Sequence, residues 1–383
     1  MSLFNDQIPL MKPWLGDEEW LALKDVILGG WISQGPKVQE FEQKTAAFLG
    51  VRHAVAVNAC TSAMHLAMKI AGVRSGDEII LSDYTCMADV NAVLMAGGVP
   101  VFVDIDSRTF NMDANLVEEK ISEKTKVILS IDQIGLANDL DKIKKIADRH
   151  KIVVVDDAAT AFGGKYKNKF LGSNGFVTTF SFHPRKMITT GEGGMLVTDN
   201  EQVAENARIL RATGASVSDL ERHKAKGMVL QKYYDSGYNY RMTDIQATLG
   251  IVQLSKAEEI IRIRREQAEL YSAAFSGMEE LTVPFVPEYA THAWSSYCLT
   301  LNPNSKYSVA ELLSKMAAKN ISCRFGIQPL HQEPFFENRN FKDIDYPESC
   351  RMGLQTFFIP IYPGLKVEEQ QFIIKSLKSI FSR

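Results

Sequence analysis

The segment FSFHPRKMITTGEGGM, residues 180–195, sets Lys186 between an apolar strand-like run and a turn holding Gly191, Gly193 and Gly194. Glycines there let the backbone approach a ligand closely. A lysine in such a place acts as nucleophile or base once desolvation or neighbouring cations favour its neutral amine. Upstream, the continuously apolar run 152–155 is followed at once by Asp156 and Asp157. A carboxylate at the end of a buried strand is costly unless a cation or hydrogen-bond donor meets it. Thr61 and Ser62 stand at the start of a helical pattern. Unpaired N–H groups and the helix dipole favour an anion such as phosphate there, although a Thr-Ser pair serves as readily to cap the helix.

A framework must hold these groups, and from residue 50 onward short apolar runs alternate with helical patterns. Residues 53–58 alternate valines as a strand, and 62–71 follow as a helix stopped by Gly72. Strands are expected over 78–82, 99–104 and 127–131, with helices over 88–96 and 139–150. The run 152–155 has the unbroken apolarity of a strand covered on both faces in a parallel sheet. Such sheets bind ligands at the carboxyl ends of their strands. Runs 176–182 and 194–199 are close enough for a hairpin or adjacent strands, and 201–211 reads as a helix. The polar stretch 214–236 loses periodicity and is expected to be a functional or mobile loop. Thr243 to Gln246 forms a capping box that opens a helix running to about residue 276. That length predicts a kink or a helix bridging two domains. A strand over 297–301 and helices over 309–318 and 367–381 suit a smaller α+β domain.

With 383 residues the chain is long enough for two to three domains. The boundary is expected between 250 and 280, dividing an N-terminal arm and large domain, 1–255, from a small domain, 256–383. Balanced charge, 43 Lys+Arg against 46 Asp+Glu, argues against a nucleic-acid binder, and the 45% hydrophobic content argues against disorder. Five scattered cysteines without a Cys-x-x-Cys read as reduced thiols. No apolar run approaches the roughly 18 residues of a membrane span, and the first residues lack a signal-peptide pattern. A cytoplasmic protein is expected. GEGGML is not a dinucleotide fingerprint, no P-loop occurs, and the seven histidines show no metal-ligand spacing, so no metal is expected.

The segment around Lys186 resembles the signature of the DegT/DnrJ/EryC1/StrS sugar aminotransferases, S-F-aromatic-x-x-K followed by T-T-G-E-G-G. The likeness continues in order through FEQKTAAFLGVRHAVAVN, CTSAMHLAM, PVFVDID, VVVDDAA, GYNYR and PLHQEPF, covering nearly the whole chain. The resemblance implies an α/β protein of the fold-type-I pyridoxal-phosphate class. Its large domain would carry a mainly parallel seven-stranded sheet with flanking helices, beside a smaller α+β C-terminal domain. It implies that Lys186 forms the Schiff base with pyridoxal 5'-phosphate and later moves a proton, a role typically contributing about 10²- to 10⁴-fold. Asp157 would face the pyridine nitrogen, with Asp156 or a simple turn-capping role as alternatives. A fixed carboxylate there favours the protonated ring that acts as electron sink. Thr61, Ser62 and Ser181 would hold the phosphate, and Asn239 resembles a residue contributed by a neighbouring subunit, so a homodimer with shared active sites is implied.

Three residues depart from the family pattern. Cys86 stands where an aromatic ring usually stacks on the cofactor, Thr160 where glutamine is usual, and Ser295 where histidine is frequent. Cys86 and Thr160 are still expected to line the cofactor site. His183 and His331 are placed near the substrate by resemblance, although a lone histidine is as readily structural. The implied activity is transfer of an amino group from L-glutamate or glutamine to a keto group of a nucleotide-linked sugar. The alternatives are a cyclitol- or aminohydroxybenzoate-type aminotransferase, a sugar dehydratase, which Lys186 argues against, and a catalytically silent regulatory relative.

Overall fold

The computed structural model describes residues 7–215, 230–233 and 235–382. Two helices, α1 (Asp17–Gly29) and α2 (Pro36–Leu49), lead into alternating strands and helices. These are β1 (His53–Val57), α3 (Cys60–Ile70), β2 (Glu78–Ser82), α4 (Met87–Met95) and β3 (Val99–Val103). There follow α5 (Ala114–Val117), β4 (Thr125–Ile131), α6 (Leu140–His150) and β5 (Val153–Asp157). A small ribbon, β6 (Lys165–Tyr166) and β7 (Lys169–Phe170), precedes β8 (Val177–Ser181), β9 (Gly194–Thr198) and α7 (Glu201–Arg211).

Seven strands form one sheet in the order β1-β9-β8-β5-β4-β2-β3. Pairing is parallel from β3 through β8, and β9 runs antiparallel to both its neighbours. The period-2 geometry of a strand sends alternate side chains to opposite faces. Ala54 and Ala56 of β1 enter one core with Phe180 and Met195, while Val55 and Val57 enter the other with Leu81 and Leu196. Both faces are therefore covered, as the apolar runs required.

Most expected elements occur within a residue or two of their expected bounds. Strand β5 extends to Asp157 because its ladder continues, Asp156 opposite Ser130 and Thr178, Asp157 opposite Ile131 and Thr179. Both aspartates thus lie within the strand and not beyond it. The expected long helix divides into α8 (Asp244–Ser255) and α9 (Ala257–Phe275). At the break Lys256 meets Glu18 at 2.8 Å and Glu19 at 2.9 Å on α1. Helix α9 spans two cores, with Ala257 and Ile260 in the one under β1 and Ala268, Tyr271 and Phe275 in a C-terminal one. That second core lies on an antiparallel four-stranded sheet. Its strands are β10 (Leu281–Thr282), β12 (Tyr297–Leu301), β14 (Thr356–Ile359) and β13 (Arg324–Phe325), while β11 (Ala290–Thr291) pairs instead with β6. Helices α10 (Val309–Ala317) and α12 (Val367–Phe381) pack on the C-terminal sheet, and α11 (Pro347–Gln355) leads into β14. The expected loop 214–236 lies largely outside the described residues. No helix among those described is long and apolar enough to cross a membrane.

Candidate active site

The carboxyl ends of β1, β5 and β8 and the start of β9 meet at one edge of the sheet. In register, Val57 lies opposite Gly194, which lies opposite Ser181. A Cβ added at Gly194 would sit 2.5 Å from both the Ala59 carbonyl carbon and the Cys60 nitrogen. Only glycine lets the start of α3 settle on β9 this closely, which brings the helix terminus beside Ser181. Ala59 is the N-cap and offers no capping side chain, so Thr61 and Ser62 lie inside the first turn. The Ser62 hydroxyl donates to Asn58 Oδ1 at 2.7 Å. The Thr61 hydroxyl has no partner among the described residues, and the first-turn N–H groups of a helix have no intrahelical acceptor. A helix start of this kind can take an anion.

Asp157 is buried at the floor of the same edge. Its Oδ1 accepts from the Ala159 N–H at 3.0 Å, the Thr179 hydroxyl at 3.3 Å and the Cys60 thiol at 3.6 Å. Burial raises its pKa, and the nearby Lys186 ammonium pulls it back down. The charge of Lys186 also acts on Cys60, Cys86 and Asp89. Lys186 itself is half-buried on the connection between β8 and β9, in a turn closed by its own N–H to the His183 carbonyl at 2.8 Å. Gly191, with φ +81°, lets that connection fold back into β9.

A family model for the DegT/DnrJ/EryC1/StrS aminotransferases matches residues 13–378. The chain belongs to this family. SpsC of Bacillus subtilis, a spore coat polysaccharide biosynthesis protein, is 35% identical over 379 residues, 98% of this chain and 97% of SpsC. Spr1654 of Streptococcus pneumoniae, designated a sugar aminotransferase, has been solved in PMP and PLP forms. Its PMP form superposes with a TM-score of 0.91 at 27% identity, over 98% of this chain and 99% of that one. PseC of Helicobacter pylori, an aminotransferase of pseudoaminic acid biosynthesis, gives 0.90 at 26%, over 98% of this chain and 100% of PseC. This DegT/DnrJ/EryC1/StrS protein is a pyridoxal-phosphate-dependent aminotransferase.

The donor set of this aminotransferase fits pyridoxal phosphate. Free N–H groups and the Thr61 hydroxyl at α3 suit the phosphate. The buried Asp157 carboxyl, which feels the charge of Lys186, would suit a protonated ring nitrogen. Ser181 is buried beside that helix start, its Oγ accepting the His183 N–H at 3.4 Å. Cys86 is the exposed N-cap of α4. The Thr160 hydroxyl is committed to the Asp132 carbonyl at 2.9 Å, and the Ser295 hydroxyl to the Ile134 carbonyl at 2.8 Å.

Asn239 is exposed, on a segment pinned beside α3 by the Asn58 N–H to the Tyr240 carbonyl at 2.9 Å. His183 is half-buried, with Nδ1 accepting the Arg185 N–H at 3.2 Å, and burial lowers its pKa. His331 is buried on the connection between β13 and α11. Its Nδ1 meets Asp83 at 2.7 Å and its Nε2 meets Asp343 at 2.9 Å, so both ring nitrogens are already engaged.

Two features escaped the sequence. Asp89, buried in the first turn of α4, reads there as an ordinary partner of the helix dipole. Arg324, exposed on β13, feels the charge of Arg185 and lies near Cys86. No local pattern marks two arginines whose charges act on each other across the fold.

Proposed function

We propose that the chain transfers an amino group from L-glutamate, or glutamine, to a keto group of a nucleotide-linked sugar. The observation that carries the reading is Lys186 beside buried Asp157, at a sheet edge that also holds a helix start able to take an anion. The names of SpsC, Spr1654 and PseC support sugar chemistry. Desolvation and the charge of Arg185 both disfavour the Arg324 cation, so an anion there would stabilise it. A nucleotide diphosphate is such an anion, and its paired oxygens suit guanidinium forks.

When bound, pyridoxal phosphate supplies an aldehyde for amines and a ring that accepts electrons from the carbon losing its proton. In this reading the α3 terminus with Thr61, Ser62 and Ser181 anchors the phosphate. Asp157 holds the proton on the ring nitrogen. Lys186, released by the incoming amine, takes the proton from the donor's α-carbon at Nζ and returns it to the adjacent position. The same residue reverses the transfer on the keto sugar. Cys86 and Thr160 border the cofactor, with His183 toward the substrate. His331 secures the substrate-side loop through Asp83.

The reading includes a cytoplasmic homodimer, with Asn239 reaching the partner's site and the division into 1–255 and 256–383. Trp20, Leu21, Ile27 and Leu28 leave α1 with a large exposed apolar surface that suits a second copy. Sedimentation should report a dimer; a monomer at micromolar concentration would remove the shared site.

The decisive experiment is the visible spectrum of protein loaded with pyridoxal phosphate, before and after L-glutamate, beside a Lys186→Ala control. Glutamate should bleach the wild-type band, and a keto sugar nucleotide should restore it. The control should do neither. A band that no amino donor changes returns the dehydratase or silent-binder reading.

A further inference from the structure

Asp89 has no part in the chemistry derived above, yet it is only 2% exposed and belongs to the site. Its carboxyl accepts the Thr85 hydroxyl and lies within hydrogen-bonding reach of Asp157. The other groups that face it are the Lys186 ammonium and the Cys60 and Cys86 thiols. Two carboxyls in contact, shielded from water, do not both ionise, so the pair shares one proton.

Their surroundings differ. Asp157 has an N–H, a hydroxyl and a thiol converging on Oδ1, all of which favour its ionised form. Asp89 has one hydroxyl and faces an anion. The proton therefore resides on Asp89, whose burial and contact with Asp157 both favour the acid.

We propose that Asp89 is a positioning residue: its carboxyl carries the proton of the pair and donates it as a hydrogen bond to Asp157, holding that carboxylate ionised toward the cofactor's ring nitrogen. The inference rests on the reading that Asp157 meets that nitrogen. A neutral donor of the same shape should serve as well, whereas an apolar side chain should leave Asp157 without that hydrogen bond.

The test compares pyridoxal phosphate with its 1-deaza analogue, in which a C–H replaces the ring nitrogen. Cofactor-free protein is titrated with each, and the ratio of dissociation constants reads the contact between nitrogen and carboxylate without any turnover. A change in general packing weakens both ligands equally and leaves the ratio alone. Wild type should prefer pyridoxal phosphate by about tenfold or more, the scale of one charge-assisted hydrogen bond. Asp89→Leu should shrink that preference to within about threefold, and Asp89→Asn should keep it.

Asp89→Ala, which removes bulk without adding any, substitutes if the leucine variant does not fold. An undiminished preference in the apolar variants overturns the proposal, as does an equal loss in Asp89→Asn. A wild type that binds both ligands alike overturns the ring-nitrogen reading, and the role of Asp89 falls with it. If Asp157→Asn loses the preference while Asp89→Leu and Asp89→Ala keep it, only the role of Asp89 fails.

Discussion

Arg324 and Lys186 differ in what they should control. Lys186 stands with the buried carboxyls, whereas Arg324 is exposed, close to Arg185 and Cys86. Arg324→Ala should raise KM for the sugar nucleotide about three- to tenfold, a modest effect because an exposed guanidinium is well screened. The glutamate half-reaction should keep its rate, since no proton moves at Arg324. Steady-state kinetics on both substrates separate the two, and a loss confined to the glutamate half would refute a sugar-side role. Lys186 and Asp157 were legible from sequence because each is flanked by the pattern that positions it, glycines after one and an apolar strand before the other. Asp89 was not, since its burial depends on β5, 68 residues away in the chain.

At the scale of elements, the fit between α3 and β9 positions the proposed phosphate cup. Gly194→Ala would press a methyl against Ala59 and Cys60, where backbone and not a flexible side chain stands in the way. The helix must shift, at a cost of about 1–3 kcal/mol. Affinity for pyridoxal phosphate should fall with stability, as denaturant titration and cofactor release would show; unchanged affinity would place the cup elsewhere. Asp244 tests a different junction. From α8 it accepts the N–H groups of Gly35 at 2.8 Å, Val38 at 3.0 Å and Lys37 at 3.1 Å, thereby capping α2. Asp244→Ala should cost about 1–3 kcal/mol and fray the N-terminal helices, visible as faster amide exchange over 36–40. The capping box at Thr243 was readable because its partners lie three residues apart. The break at Lys256 was not, because Glu18 and Glu19, which hold it, lie far upstream.

Across the whole molecule, the sheet buries carboxyls where water does not reach. Asp89, Asp132, Asp156 and Asp157 are all buried, and burial raises each pKa, that of Asp156 to about 7; repulsion from neighbouring carboxylates adds to it for Asp89, Asp132 and Asp156, whereas Lys186 and hydrogen bonds pull Asp157 back. A carboxyl raised in the folded state binds more protons folded than unfolded at every pH between its two values. Folding stability therefore falls as pH rises through that window, from the ordinary carboxylate range near 4 to about 7 for Asp156. His331, raised by Asp83 and Asp343 against its burial, adds the same sign above its unfolded value, since its stabilising charge is lost as pH climbs through the raised one. His292 opposes them at the acid end: buried neutral, with its pKa lowered to about 3, it loses stability as pH falls below its unfolded value. Cofactor-free protein should accordingly be more stable at pH 6 than at pH 8. Asp156→Asn should recover on the order of 1–3 kcal/mol at pH 8 and much less at pH 5, where the native carboxyl is already protonated. Pyridoxal phosphate, bringing a cation to the same floor, should flatten the wild-type profile. Denaturant unfolding at the three pH values, with and without cofactor, measures each term, and a cofactor-free protein that gained stability toward pH 8 would show that the buried carboxyls are ionised at no cost.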